Sequence, residues 1–153
     1  MATLKVDAGR WLTLVVLCVL FGGCRSRSEL AGSYVGKGSG SYRLQGGFIP
    51  IPSTDDVLTV RRTAQHYQHS EYDLVIHGCT VHVSAGPEAW SGNGDCTFDL
   101  PSVGPVPAVV SGGISRDPEG ASADDVHLSL YGSGTGNVQA FSYQFRGKPR
   151  GGR

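Results

Sequence analysis

The side chains that could bind a metal ion are histidines in the middle of the chain. His66 and His69 are three residues apart, and His77 and His82 flank Cys79. Two or three imidazoles could bind Zn²⁺ if the fold brought them together. However, residues three or five apart in a β-strand point to opposite faces of the sheet, and His66 and His69 lie in a polar stretch. We therefore interpret them as solvated loop and turn residues and expect no metal site.

Carboxylates form two further groups with possible chemistry. One stretch contains Asp117, Glu119, Asp124 and Asp125. These could chelate Ca²⁺, but their spacing matches no Ca²⁺-binding loop, so we predict a solvated turn. Asp55-Asp56 are adjacent in the chain and lie among proline and serine, and nothing in the sequence indicates a general acid–base pair there.

No stretch contains the motifs of common catalytic or nucleotide-binding loops. G-x-S-x-G, G-x-x-x-x-G-K-[ST], G-x-G-x-x-G and H-E-x-x-H are all missing from the sequence. The alternating glycines at positions 132, 134 and 136 fit a turn between two strands better than a phosphate cradle. We therefore expect a protein that is not an enzyme, with no catalytic residue and no cofactor.

Three aromatic residues near the C-terminus share one face of a predicted strand. Phe141, Tyr143 and Phe145 alternate with polar residues, as inward-facing residues of a barrel strand do. They are candidate ligand-lining residues if the barrel has a lumen. The alternative is that they simply pack in the core.

The first 24 residues have the three-part layout of an export signal. Lys5 and Arg10 supply the basic region, residues 11–21 are almost all apolar, and Gly22-Gly23 precede Cys24. An apolar run of 11 residues is shorter than the roughly 20 that a membrane-spanning helix needs. This segment therefore predicts a cleaved signal rather than a membrane helix.

The end of the segment resembles the lipobox of bacterial lipoproteins, which Phe21-Gly22-Gly23-Cys24 matches. The resemblance implies that Cys24 carries a thioether-linked diacylglycerol and that the new N-terminus is acylated, for example with palmitate. It also implies export and attachment to the lipid bilayer, because two or more acyl chains give stable anchoring. Arg25 stands where an aspartate commonly retains such proteins in the inner membrane, which favours the outer membrane if the bacterium has one.

Two cysteines remain once Cys18 has left with the signal and Cys24 is lipidated. These are Cys79 and Cys96. In an oxidising, exported compartment a remaining pair predicts a disulfide bond. Closing this loop would stabilise the domain by about 3 kcal/mol on the chain-entropy account.

Charge and composition exclude several classes of protein. The chain has 13 basic and 13 acidic residues, and 11 basic and 12 acidic residues remain after position 23. Without a basic surplus we expect no nucleic-acid partner. The 23 glycines and 8 prolines stay below the level typical of disordered chains, so the chain after the signal is expected to fold as one domain.

The pattern after Cys24 predicts an all-β domain. No stretch has the apolar period of a helix over ten or more residues, and short alternating segments follow one another, such as residues 126–131. We predict a single small antiparallel domain of about eight or nine short strands. A barrel or curved sheet is favoured because closure removes exposed edges; a lipocalin-like barrel serves only as an architectural analogy.

Four local patterns predict turns or loops. The glycines within residues 36–40 predict a tight turn between two strands, and the prolines within residues 46–56 predict a loop, because proline is excluded from central strands. Asn93-Gly94 is typical of a type I′ turn and predicts a hairpin. His77-Gly78 predicts a further turn.

We divide the chain into four parts: residues 1–23, the signal; 24–32, the lipidated N-terminus and tether; 33–146, the β domain; and 147–153, a basic flexible tail. The leading hypothesis is a membrane-anchored lipoprotein whose non-catalytic β domain binds another protein or an envelope component. The alternative is a lipocalin-like barrel that binds a small apolar ligand in a cavity of roughly several hundred Å³. An enzyme of unknown activity comes third.

Overall fold

A computed structural model describes residues 29–65, 70–85, 89–100 and 103–151. The predicted signal lies outside the described residues, as do the predicted lipidation site Cys24 and the two histidines His66 and His69. Eight strands follow one another: β1 (Gly32–Leu44), β2 (Gly47–Gln65), β3 (Ser70–Ile76), β4 (Cys79–Ala85), β5 (Trp90–Leu100), β6 (Gly104–Arg116), β7 (Val126–Gly134) and β8 (Ala140–Pro149).

The strands form a closed antiparallel barrel. Each strand pairs with the next one along the chain, and β8 pairs with β1. The predicted all-β fold is confirmed. Of the two architectures that the sequence left open, the structure has the barrel and not the curved sheet. Closure gives every strand two paired neighbours over at least part of its length, which disfavours edge-to-edge aggregation.

The two ends of the barrel differ in what they carry. The turns β1–β2, β3–β4, β5–β6 and β7–β8 lie at one end, here called the upper end. The chain enters the described barrel at Glu29, at the opposite, lower end, where β8 also finishes. The segment before β1 and the upper turns are therefore separated by the full height of the barrel.

Alternating side chains from all eight strands fill the interior. On β7, Val126, Leu128 and Leu130 are fully buried, whereas Tyr131 on the other face is exposed. This alternation is the one that the sequence predicts for residues 126–131. The inward residues of the other strands are also mostly aliphatic and aromatic, so hydrophobic burial drives closure.

The glycines and prolines of the first two strands do not interrupt them, and both predictions about them were wrong. β1 is continuous through residues 36–40. β2 is continuous through Pro50 and Pro52. It pairs with β3 only from Thr59 onwards, so the prolines lie where that edge of β2 is open. Proline is tolerated at such an edge because no ladder hydrogen bond is lost.

Asn93-Gly94 lies in the middle of β5 and makes no turn, so the predicted hairpin at this place was wrong. Gly94 pairs with Val81 on β4 and with Val110 on β6. A Cβ atom on Gly94 would lie only 2.0 Å from the carbonyl oxygen of Thr80. The glycine is needed because the two strands approach closely here.

The predicted disulfide between Cys79 and Cys96 is confirmed. It joins the start of β4 to β5, with the two Cα atoms 4.0 Å apart. Both cysteines are buried in the barrel interior. Cys79 directly follows the β3–β4 turn in the chain. That turn is formed by His77-Gly78, so the predicted turn there is also confirmed.

The ordered barrel is longer at both ends than residues 33–146. Leu30 is fully buried at the lower end, where its carbonyl oxygen accepts a hydrogen bond from the Tyr34 hydroxyl at 2.8 Å. β8 continues to Pro149, and the Arg150 amide donates to the carbonyl oxygen of Ser33 at 2.8 Å. Within the part of the chain that the structure describes, no helix is long and apolar enough to cross a membrane.

Candidate ligand site at the upper mouth of the barrel

A notch opens in the upper wall of the barrel because two neighbouring strands are short. β3 and β4 have 7 residues each, whereas β2 has 19 and β5 has 11. β2 pairs with β3 only from Thr59 on, and β5 pairs with β4 only as far as Asp95. The upper parts of β2 and β5 therefore rise on either side of the His77-Gly78 turn, which forms the floor of the notch.

The notch contains a cavity of about 440 Å³, here called the mouth pocket. It is lined by Ile51, Pro52, Thr54, His77, Gly78, Thr97, Phe98, Asp99, Leu100 and Tyr143. Apolar side chains supply the walls, and hydroxyl, imidazole and carboxylate groups supply a few polar points. This volume and this mixture are typical of small-molecule sites.

A β-bulge in β2 brings one carboxylate to the inside of the barrel. The pairing with β1 moves from Gly38↔Thr54 to Gly40↔Ile51, so β2 has one extra residue there. Such an insertion reverses the alternation of side chains. As a result Ile51 above the bulge and Asp56 below it both face inwards, although the positions differ in parity. Asp56 is 6% exposed and is one of two buried charged residues among those described.

Three side chains donate hydrogen bonds to the Asp56 carboxylate. The Tyr143 hydroxyl donates to Oδ2, and the His77 Nε2 lies 2.5 Å from Oδ1. The Thr54 hydroxyl lies 3.2 Å from Oδ2 and 3.3 Å from Oδ1. These donors compensate the cost of burying the carboxylate, which would be several kcal/mol for an unpaired charge. All three donors line the mouth pocket.

Gly38 makes the room that this network occupies. A Cβ atom at position 38 would lie 1.8 Å from the Tyr143 hydroxyl oxygen and 2.0 Å from Asp56 Oδ2. Any side chain at this position would therefore force the tyrosine and the carboxylate apart. The glycine that suggested a turn in the sequence serves instead to admit a buried polar cluster.

His77 is held in an unusual backbone conformation. Its φ angle is +47°, and Gly78 follows with +71°, as a two-residue type I′ turn requires. Positive φ is disfavoured for a residue with a side chain. The bond from Nε2 to Asp56 and the edge-on contact with the Tyr143 ring, with centroids 5.7 Å apart, hold the imidazole at the floor of the pocket.

The environment of Tyr143 keeps its phenol protonated. Burial raises the pKa of Tyr143 far above its ordinary value of 10.0, and the hydrogen bond to Asp56 and the negative charge of that carboxylate raise it further. The hydroxyl therefore stays a donor across the neutral range. A buried phenol that donates to a carboxylate acts as a hydrogen-bond donor in a fixed position rather than as a proton-transfer group at neutral pH.

The three aromatic candidates of β8 have different surroundings. Tyr143 lines the mouth pocket. Phe141 packs against Phe98 with ring centroids 4.3 Å apart, and Phe145 is fully buried in the packed interior. Below the mouth, side chains such as Leu74 and Leu130 fill the barrel. The space for a ligand is thus at the mouth of the barrel rather than along its axis.

The other polar residues considered in the sequence lie away from the mouth pocket. His82 and Asp73 form an exposed pair with Nδ1 and Oδ1 2.5 Å apart. In the acidic loop, Glu119 is bound by Arg146, with Nη1 and Oε2 2.6 Å apart. Over the described residues, no three His, Cys, Asp or Glu side chains are grouped so that they could hold a metal ion.

Sequence reasoning missed Asp56 and His77 as site residues. Asp55 and Asp56 look alike in the sequence, but Asp55 is exposed and pairs with Lys37 at 2.7 Å on the outer face. The signal that distinguishes Asp56 is its even spacing from Leu58 and Val60, which are buried on the same strand. No comparable signal marks His77, because its partner lies 21 positions earlier in the chain.

Comparison with protein families, with curated proteins and with solved structures gives no significant match.

Proposed function

We propose that this protein is an exported, lipid-anchored β-barrel that binds a small ligand with an apolar body in the mouth pocket. The observation that carries the proposal is a cavity of about 440 Å³ whose walls are mainly apolar and whose floor holds a fixed polar cluster. Ligand sites are built in this way, with apolar surface for affinity and few polar groups for orientation. Barrels of eight strands that hold one small ligand, such as lipocalins, are an architectural parallel only.

The proposed activity is binding rather than catalysis. Asp56 receives hydrogen bonds from Tyr143, Thr54 and His77, all from this chain. A carboxylate engaged in this way holds its neighbours in place. The network therefore orients the floor of the pocket before a ligand arrives, which lowers the entropy cost of binding.

In this proposal the lipid anchor holds the barrel by its lower end. From Cys24 to Glu29 the chain has six residues, which span at most about 20 Å when fully extended. Since the chain enters at the lower end, the mouth pocket would face away from the bilayer. Such a protein would take its ligand from the aqueous compartment or from another protein rather than directly from the membrane.

Anchoring is tested by metabolic labelling with palmitate. We expect the label to appear in the wild-type protein and to disappear in Cys24→Ala, with Cys18→Ala as the matched control that keeps it. A wild-type protein without label, or an unchanged label in Cys24→Ala, would show that the lipoprotein proposal is wrong.

Binding is tested with N-phenyl-1-naphthylamine, an uncharged probe that fluoresces in apolar surroundings. Ile51 lines the pocket and is half-buried, so Ile51→Trp should fill the space and weaken binding about tenfold or more, the equivalent of removing one well-placed apolar contact. Ile49→Trp is the matched control, because Ile49 is also half-buried on β2 but is not among the lining residues. Circular dichroism of both variants checks that the barrel is intact.

Two outcomes would refute this function. The first is no saturable binding of the probe to the wild-type protein. The second is equal binding by Ile51→Trp and Ile49→Trp, which would place the probe elsewhere.

The expectation that the domain binds a protein or an envelope component stays a prediction. Cross-linking in whole envelopes followed by purification tests it, and a specific partner that is still recovered with Ile51→Trp would show a second interaction independent of the mouth pocket.

A further inference from the structure

We propose that the ligand of the mouth pocket carries a protonated amine as its head group on its apolar body. This inference rests on the proposed binding function and adds the charge class of the ligand. The juxtaposition that carries it is an apolar cavity with one carboxylate, Asp99, among its lining residues and a second, Asp56, buried directly behind His77 on its floor.

The net charge at the pocket is negative in either protonation state of His77. Asp99 is exposed and is among the lining residues, and Asp56 lies behind the floor in contact with His77. If His77 is protonated, it balances Asp56 and leaves the charge of Asp99. If His77 is neutral, both carboxylates are uncompensated. A cation is favoured in both cases, and an anion is disfavoured in both.

Neither lysine nor arginine is among the described residues that line the mouth pocket. Near the same end, the Arg43 guanidinium lies over the Phe48 ring of the β1–β2 hairpin, 5.6 Å from its centroid. Lys37 pairs with Asp55 on the outer face. A carboxylate ligand such as a fatty acid would therefore enter an apolar cavity without a cation to meet its charge, which is costly.

Hydrogen-bonding capacity also favours a donor head group. His77 Nε2 faces a carboxylate oxygen at 2.5 Å, so this nitrogen carries the proton and Nδ1 is an acceptor in the neutral ring. The Asp99 carboxylate offers further acceptors. An ammonium group supplies several N–H donors and matches both, whereas a carboxylate head matches neither.

The experiment compares three ligands with one apolar body: octylamine, octanol and octanoate. Each competes with N-phenyl-1-naphthylamine on the full exported protein at neutral pH and low ionic strength. We expect octylamine to bind about tenfold more tightly than octanoate, with octanol between them, as for attraction and repulsion by a partly exposed carboxylate. Raising the salt concentration should reduce this difference, because exposed charges are screened.

Asp99→Asn separates the charge inference from general binding. We expect it to lower the ratio of octylamine affinity to octanol affinity about threefold to fivefold, since an exposed carboxylate contributes no more than a modest Coulomb attraction to a cation. Asp95→Asn is the matched control, because Asp95 is exposed on the same strand but is not among the residues lining the mouth pocket.

The outcomes distinguish the two proposals. If all three ligands compete in wild type but not in Ile51→Trp, and octylamine is no tighter than octanol, the charge inference is wrong and the binding function stands. The inference is also wrong if Asp95→Asn lowers octylamine affinity as much as Asp99→Asn. If neither the probe nor any of the three ligands binds, both proposals fall.

Discussion

Replacing Tyr143 by phenylalanine tests whether the buried network under the mouth pocket stabilises the barrel. The substitution keeps the ring, and with it the packing, but removes the hydroxyl that donates to Asp56 Oδ2. The carboxylate, whose side chain is 3% exposed, then keeps the Thr54 hydroxyl at 3.2 Å from that oxygen and His77 at the other. Water has little access to replace the lost donor.

The expected loss follows from this geometry. A hydrogen bond to a charged group contributes about 1.5–3 kcal/mol, and most of it is lost when the acceptor stays buried. We therefore expect Tyr143→Phe to lower the free energy of unfolding by about 2 kcal/mol at neutral pH. For a domain of this size that is a fall in Tm of about 8 °C. Tyr131→Phe is the control, because the Tyr131 side chain is 52% exposed and should change stability by less than about 0.5 kcal/mol.

Urea unfolding followed by circular dichroism measures both variants with the disulfide intact. An unchanged slope with denaturant would show that the same surface is exposed on unfolding, so that the midpoint reports stability. If Tyr143→Phe differs from wild type by no more than Tyr131→Phe does, the network does not stabilise the barrel, and the argument that it preorganises the pocket is wrong.

Three further predictions follow from the described contacts. Gly94→Ala should destabilise the barrel by several kcal/mol, because a Cβ atom would lie 2.0 Å from a carbonyl oxygen of the neighbouring strand. Gly46→Ala is the control and should be tolerated, because a Cβ atom there would have no neighbour within 4 Å. Thermal unfolding compares the two variants, and equal Tm values would contradict the close approach of the strands at Gly94. Replacing both Cys79 and Cys96 by serine should cost about 3 kcal/mol for a sequence separation of 17, measured by urea unfolding, and a change below about 1 kcal/mol would contradict this loop-entropy value. Since the pKa of Tyr143 is raised in the folded state, the stabilisation that its protonated phenol gives is complete below pH 10 and is lost as the pH rises above that ordinary value. Between about pH 9 and 11 the free energy of unfolding should therefore decline less steeply in Tyr143→Phe than in wild type. Parallel curves for the two proteins would contradict this prediction.

The sequence was sufficient for the fold class because period-two alternation is a local property. Residues 126–131 show this alternation openly, and the all-β prediction depended on such segments. The prediction that Cys79 pairs with Cys96 needed only a count of the cysteines that remain when Cys18 and Cys24 are assigned to the predicted signal and its lipidation site. These local patterns do not specify the register of the strands, so they could not decide between a closed barrel and a curved sheet.

The wrong local predictions share a physical cause. Asn93-Gly94 has the intrinsic preferences of a turn, yet its glycine is used for close approach to Thr80 on the neighbouring strand. Pro50 and Pro52 have the preferences of a loop, yet they lie along an edge that a short neighbour leaves open. In each case a contact with a residue distant in the chain decides between two conformations that the residue itself allows.

The candidate site was harder to predict than the fold for a related reason. The bulge reverses the alternation between Ile51 and Asp56, so a single period followed along β2 assigns one of them to the wrong face. His77 meets Asp56 only because β3 ends one residue before it while β2 continues past it. The lengths and the register of the strands create the pocket, and no short sequence motif predicts either of them.

The Cys79–Cys96 disulfide joins the floor of the mouth pocket to its wall. Cys79 directly follows Gly78 on the floor of the mouth pocket, and Cys96 directly precedes Thr97 on its wall. At this point β4 has just begun and the upper part of β5 no longer pairs with it, so the ladder cannot hold the floor against the wall. The covalent bond does so where backbone hydrogen bonds end. Opening this bond should therefore loosen the floor of the mouth pocket from its wall in addition to destabilising the barrel, which makes the disulfide a determinant of the site as well as of stability.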